Sequence, residues 1–187
     1  MIYSGEHVGL AHEFDTLLEA ARQLSKSDIR FLFIGGGPRV REIDSRARKL
    51  GACEFRGTFA RVARGASHKS RSRDVHIVTL RQGMPGLLVP SKIYGILAAG
   101  KPTIYVGPSV GEVVDIVTIG GCGVAVNNGD VSSLVEAIES YQRDTVKRHA
   151  HGEAARALYE ERFTKTRAMR QFTDLIPSLQ PVGSSAE

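Results

Sequence analysis

Two glycine-bearing loops and one proline-serine-lysine run are where residue types and spacing in this 187-residue chain could do chemistry. In "FIGGGPRVRE", Gly35, Gly36 and Gly37 let the backbone turn sharply and approach a ligand. Pro38 suits a first helical turn, so main-chain N–H groups could meet a phosphate there. A tight strand-to-helix turn explains the same residues, because the GxGxxG spacing is not present. In "YSGEHVGLAHEF", Gly5 ends an apolar run, Gly9 follows, and His12 stands at an expected helix start. It reads either as a donor or acid toward a diphosphate or as an ordinary solvated or capping histidine. In "GLLVPSKIYGILAAGKPTIYVG" (Gly86 to Gly107) there is no carboxylate, cysteine or histidine. Pro90 stops the run "LLV" and Ser91 is a good N-cap type. Lys92 places a cation in the first turn, which the helix dipole disfavours unless an anion is bound nearby. An ordinary helix–turn–strand unit is the competing reading.

The elements that must position these residues alternate along the chain. β-rich apolar runs occur at Met1–Ser4, Arg30–Ile34, Cys53–Phe55, Val75–Leu80, Pro102–Val106 and Gly123–Val126. Helical patterns lie between them. His12 to Leu24 puts Phe14, Leu17, Leu18, Ala21 and Leu24 on one face, and Val40 to Leu50 closes at Gly51. Pro90–Ala99 and Ser132–Tyr141 continue the rhythm, the latter entered through "NNGD". Short strands alternating with helices predict a parallel sheet covered on both faces. The expected fold class is α/β: a doubly wound, Rossmann-like three-layer domain with a mostly parallel sheet of about six strands, followed by C-terminal helices. One domain is expected over residues 1–177, with a flexible tail at 178–187.

Composition narrows the function classes. Hydrophobic residues are 42% and charged residues 24% of the chain, ordinary for a globular protein and contrary to wholesale disorder. No apolar window is long enough to span a membrane and the N-terminus does not read as a signal peptide, so a cytoplasmic location is expected. Cys53 and Cys122 sit apart in apolar surroundings and read as small core residues, so no metal site is expected. The net charge of +5 draws heavily on "RVARGASHKSRSR" (Arg61 to Arg73), which contains no acid. That segment also contains no aromatic residue for base stacking, which speaks against nucleic acid. It reads as a solvated basic face, with attraction to phosphate or an anionic membrane surface as the sharper alternative.

Five stretches together resemble the nucleotide-sugar-binding C-terminal domain of GT-B glycosyltransferases, of the large retaining family called family 4 or group 1. They are Tyr3 to Ala21, Phe31 to Gly51, Asp74 to Gly107, Gly121 to Asp130 and Ala157 to Phe172. The likeness is to enzymes of exopolysaccharide, colanic acid and O-antigen synthesis. It implies transfer of a sugar from a nucleoside diphosphate donor, UDP-linked by expectation, to a glycan or lipid-linked acceptor, with no bound metal or other cofactor. It also implies a donor site with Gly5 and His12 on one side, Gly35, Gly36 and Gly37 lining the nucleotide cleft, and Val89, Pro90, Ser91 and Lys92 holding the diphosphate. Glu112 takes the place of a family glutamate. Two other family glutamates, one touching the sugar and one gripping the ribose, align with Leu87 and Gly95, so neither carboxylate is present. The resemblance covers only the second of two GT-B domains. The missing N-terminal acceptor domain or a partner chain is therefore expected, and Phe163, Met169, Phe172 and Leu175 would present a bare apolar face open to self-association. The chain alone is expected to be inactive, and peripheral contact with the inner face of the membrane is compatible with the basic segment. The alternatives are a non-catalytic nucleotide-binding or interaction module and a nucleotide-sugar epimerase-like domain.

Overall fold

A computed structural model describes residues 2–7, 12–29, 31–36, 40–49, 75–84 and 90–175. Among the described residues five strands form one sheet in which every pairing is parallel: β1 (Ile2–His7), β2 (Leu32–Gly36), β3 (His76–Thr79), β4 (Thr103–Val106) and β5 (Gly123–Val126). Their order is β2-β1-β3-β4-β5. The expected strand at Cys53–Phe55, the basic segment Arg61 to Arg73 and the tail at 178–187 lie outside the described residues.

The helices divide between the two faces of the sheet. On one face, α1 (Asp15–Gln23), α2 (Val40–Lys49) and α5 (Val131–Arg143) bury Leu17, Leu18, Ile43, Leu134, Ile138 and Tyr141 against Ile77, Ile104 and Val106. On the other, α3 (Lys92–Ala98), α4 (Glu112–Thr118) and α6 (Thr145–Leu158) pack Ile93, Leu97, Val113, Val117 and Ala155 on Val78 and Tyr105. Successive strand side chains point to opposite faces, which is why Ile77 and Val78 fall in different cores. This is the doubly wound class expected from the alternating pattern. Cys122 is a buried core thiol whose S–H points at the Ile116 carbonyl, 3.3 Å away.

Several boundaries differ from the sequence reading, each for a physical reason. β2 runs to Gly36 because Gly36 pairs with His7, so Gly35 and Gly36 are strand residues rather than a loop. Gly37 lies outside the described residues. β1 likewise continues past Gly5 to His7, with a register irregularity between Ser4 and His7. Helix α1 begins at Asp15, three residues after His12, because the Glu13 carboxylate accepts from the Thr16 N–H at 2.9 Å and closes the first turn there. The apolar spacing that predicted the helix also starts at Phe14.

After α6 the chain continues through a five-residue π-helix, Tyr159–Phe163, into α7 (Lys165–Leu175). The backbone of α6 lies directly on the turn between α3 and β4. That turn has Gly100 at φ +63, and a Cβ on Gly152 would sit 2.7 Å from the Gly100 carbonyl oxygen. One turn along, the Arg156 guanidinium donates to the Ala98 carbonyl at 2.6 Å and caps α3. Phe163 is not bare as expected: its ring stacks on Tyr94 with centroids 4.9 Å apart. Met169 and Phe172 are exposed, at 58% and 68%.

Gly152→Ala should therefore destabilise the fold by about 1–3 kcal/mol, because the neighbour it meets is backbone. Gly95→Ala, on the exposed side of α3 where a Cβ meets nothing within 4 Å, should stabilise by about 0.5–1 kcal/mol. Urea unfolding of both variants checks the pair, and a Gly152→Ala midpoint equal to wild type would contradict the close-packing account.

Candidate functional site

Among the described strands the order reverses at β1: β2 lies on one side of it, β3 and β4 on the other, and the helices after β1 and β3 pack on opposite faces. Such a reversal opens a crevice outside the carboxyl ends of the two strands, the place where α/β sheets bind ligands. β1 and β3 pair only through Ile2–His76 and Tyr3–Ile77. Beyond Tyr3 they part.

His12 stands where they part. Alternate peptide groups of a strand face alternate neighbours, and the Leu80 N–H bonds Val106 O in β4, so the Thr79 carbonyl faces the β1 side. There it meets His12 Nδ1 at 3.0 Å. A carbonyl only accepts, so Nδ1 carries the proton and the neutral ring keeps Nε2 as an acceptor. Burial first, and the Lys92 charge second, hold the His12 pKa below the usual histidine value, while the bond to Thr79 partly offsets them. The ring is therefore neutral at neutral pH, and protonation is required before Nε2 can donate to a phosphate. This sharpens the expectation that His12 is a donor or acid and moves it from a helix start to the strand edge.

Lys92 comes from the other wall. It is the first residue of α3; its stem is partly exposed but its ammonium nitrogen is buried. Burial lowers its pKa to about 7. Pro90 is buried just before it. Ser91 holds the N-cap position in helical conformation without a side-chain cap bond, so its expected capping role is positional only. The Ile93 and Tyr94 amides fold back onto the Pro90 and Ser91 carbonyls at 3.0 and 3.3 Å. The amides of Ile93 and Tyr94 are therefore already used within the helix start. Val89 lies outside the described residues.

The structure draws together His12 and Lys92, close enough for the lysine charge to depress the histidine pKa. Glu112 is engaged elsewhere. It opens α4 and accepts from the Tyr94 hydroxyl at 2.8 Å, on the rim of an open groove of about 1230 Å³ that runs past Ile116, Leu158 and Phe163. Burial and the Glu112 carboxylate push the Tyr94 pKa up to about 12. Gly95, where the resemblance aligned a ribose-gripping glutamate, points into open space. Among the described residues no group of three or more His, Cys, Asp or Glu side chains could hold a metal ion. No described helix is long and apolar enough to cross a membrane.

Sequence reasoning missed Asn128. Its side-chain amide donates to the Leu80 carbonyl at 3.0 Å, across 48 residues of chain. The next residue, Gly129, donates its N–H to Thr16 Oγ1 at 2.7 Å. The only local signal was "NNGD", which reads as a turn into a helix.

The family model described as "Glycosyl transferases group 1" matches residues 1–144. The chain belongs to that family. It is 24% identical over 173 residues to the putative colanic acid biosynthesis glycosyl transferase WcaI of Escherichia coli, covering 92% of this chain and 41% of that protein. It is 31% identical over 118 residues to the probable glycosyltransferase WbjE of Pseudomonas aeruginosa, covering 61% of this chain and 29% of that protein. Among solved structures, Anabaena HepE in complex with UDP-glucose superposes with a TM-score of 0.77 at 19% identity, over 95% of this chain and 48% of that one. The C-terminal domain of a group 1 family protein, LpcC of Francisella tularensis, superposes with a TM-score of 0.69 at 15% identity, over 88% of this chain and 86% of that one. This chain thus spans less than half the length of WcaI, WbjE or HepE. The fold is that of a GT-B glycosyltransferase domain.

The lowered Lys92 pKa carries a stability sign. Between about 7 and the ordinary value of 10.5 the folded chain binds fewer protons at this site than the unfolded chain, so stability rises with pH through that window. Lys92→Met removes the effect. The melting temperature of wild type relative to Lys92→Met should climb from pH 7 to pH 10; a constant difference would place the ammonium in water.

Proposed function

We propose that this chain is the donor-binding half of a glycosyltransferase that moves a sugar from a nucleoside diphosphate, UDP by preference, to a glycan or lipid-linked acceptor in polysaccharide synthesis. The observation that carries the reading is the meeting of His12 and the buried Lys92 ammonium at the carboxyl end of β3. Family membership and the HepE complexes with UDP and UDP-glucose support the donor class. The colanic acid relative supports the process.

Chemistry at such a site needs no covalent step from the protein. As the glycosidic bond to the donor breaks, negative charge gathers on the departing diphosphate. A preformed cation in a water-poor crevice stabilises that charge more than it stabilises the intact donor. Lys92 would supply the cation and the Ser91 amide a first hydrogen bond. His12, once protonated, would add a second donor. Gly5, Gly35, Gly36 and Gly37 would let backbone approach the nucleotide, with Val89 and Pro90 completing the wall. The acceptor would be held by the remaining half of the enzyme, docked where Met169 and Phe172 are exposed. This domain occupies residues 1–177 in that reading and does not turn over alone.

A titration of the purified chain with UDP and UDP-glucose by calorimetry tests this. Saturable binding should weaken at least tenfold in Lys92→Ala. Because burial lowers the ammonium pKa to about 7, binding the anion above that value should recruit a proton, and UDP affinity should fall from pH 7 to pH 9, at the limit about tenfold per pH unit. Lys92→Arg, which keeps its charge, should flatten that dependence. No binding to any nucleotide would put the non-catalytic module ahead.

A further inference from the structure

The carboxyl edge of the sheet carries a closed ring of hydrogen bonds, and its least expected member is Asn128. Starting just before α1, His12 bonds the Thr79 carbonyl on one side of β3. Leu80 is the next residue, and its carbonyl faces the opposite side, where Asn128 Nδ2 donates to it at 3.0 Å. Gly129 then donates to Thr16 Oγ1 at 2.7 Å, and the Thr16 N–H donates to Glu13 Oε1 at 2.9 Å. Glu13 is bonded in sequence to His12, which closes the circuit. Three elements that never adjoin in sequence are tied together: the approach to α1, the end of β3 and the turn from β5 into α5.

Two atoms of this ring make no hydrogen bond although they are buried, Asn128 Oδ1 and Glu13 Oε2. Burying an acceptor without a donor is unfavourable, and such orphans mark places where something other than stability sets the geometry. The amide cannot be reversed to satisfy Oδ1, since that would set oxygen against the Leu80 carbonyl oxygen. Asn128 is thus held in an unfavourable setting by its single donor bond to Leu80. That bond lies just past the end of β3, one residue from the Thr79 carbonyl that His12 holds.

We propose that Asn128 is a positioning residue for the end of β3, against which His12 and Lys92 meet. It fixes the Leu80 peptide from the β5 side while His12 fixes the Thr79 peptide from the β1 side, so the strand end that seats His12 beside Lys92 is held from both sides. The proposal rests on the donor-site reading for its functional consequence, but not for the clamp itself.

Three variants separate the possibilities. Asn128→Asp keeps the shape and replaces the donor by an acceptor, Asn128→Ala removes both, and Asn128→Gln keeps an amide donor. UDP binding by calorimetry, thermal melting, and amide hydrogen exchange in residues 81–84 and 91–94 are read for each. Loss of one neutral hydrogen bond should weaken UDP roughly fivefold to tenfold in the Asp and Ala variants. Their exchange in both segments should rise while α5 and α6 keep wild-type protection. Asn128→Gln should stay within about threefold of wild type and restore protection. Unchanged affinity and exchange in Asn128→Asp would overturn the proposal. So would losses in all three variants that simply track the melting temperature, which is what a packing role gives. Faster exchange with no UDP binding by wild type would uphold the clamp and sink the donor-site reading alone.

Discussion

A lysine ammonium held out of water is the constraint on which the carboxyl edge of this sheet depends. Nothing in the core needs it: the two hydrophobic clusters on either face of the sheet are complete without Lys92. Burial brings its pKa down to about 7, so at neutral pH the site sits at the balance between charged and uncharged forms. Titratable groups shifted this far by burial gather at functional sites more often than in structural cores. The neighbouring histidine makes the same point. Its neutral state follows from burial and from the lysine beside it, and an arriving diphosphate would reverse the second of these.

The rest of the fold serves to hold that arrangement in place. β1 and β3 part after two paired residues, α1 and α3 depart to opposite faces, and hydrogen bonds from His12 and Asn128 secure the end of β3 from both sides. On the far face, α6 braces the other end of α3 through the Gly100–Gly152 contact and the Arg156 cap. The helix bearing Lys92 is only seven residues long. A helix that short has little stability of its own, so its position is borrowed from these attachments.

Much of the fold was legible in residue order because it rests on local patterns. β5 falls at Gly123–Val126 as read, and the alternation of short apolar strands with helices gave the doubly wound class. The misreadings share one cause, which is pairing across long sequence distances. Gly35 and Gly36 look like loop because glycine is a weak strand former, yet β1 extends the strand through them. His12 seemed to belong to a helix, but Glu13 ends that possibility by capping at Thr16, and Thr79 then claims the ring. Lys92 was singled out from the sequence because a cation at a helix start is out of place. Asn128 was not, since a bond to Leu80 leaves no trace in a turn sequence. Glu112, which matched a family position, accepts a hydrogen bond from Tyr94 that no sequence pattern announces.

The most direct measurement is the protonation of Lys92 itself, followed by NMR of the isotope-labelled side chain over pH in the free chain and in the presence of UDP. The account predicts a free-protein pKa lowered to about 7 by burial and an upward movement of about two units or more when a diphosphate is bound. A lysine that titrates at its ordinary value of 10.5 in the free chain, and does not move with UDP, would contradict the account.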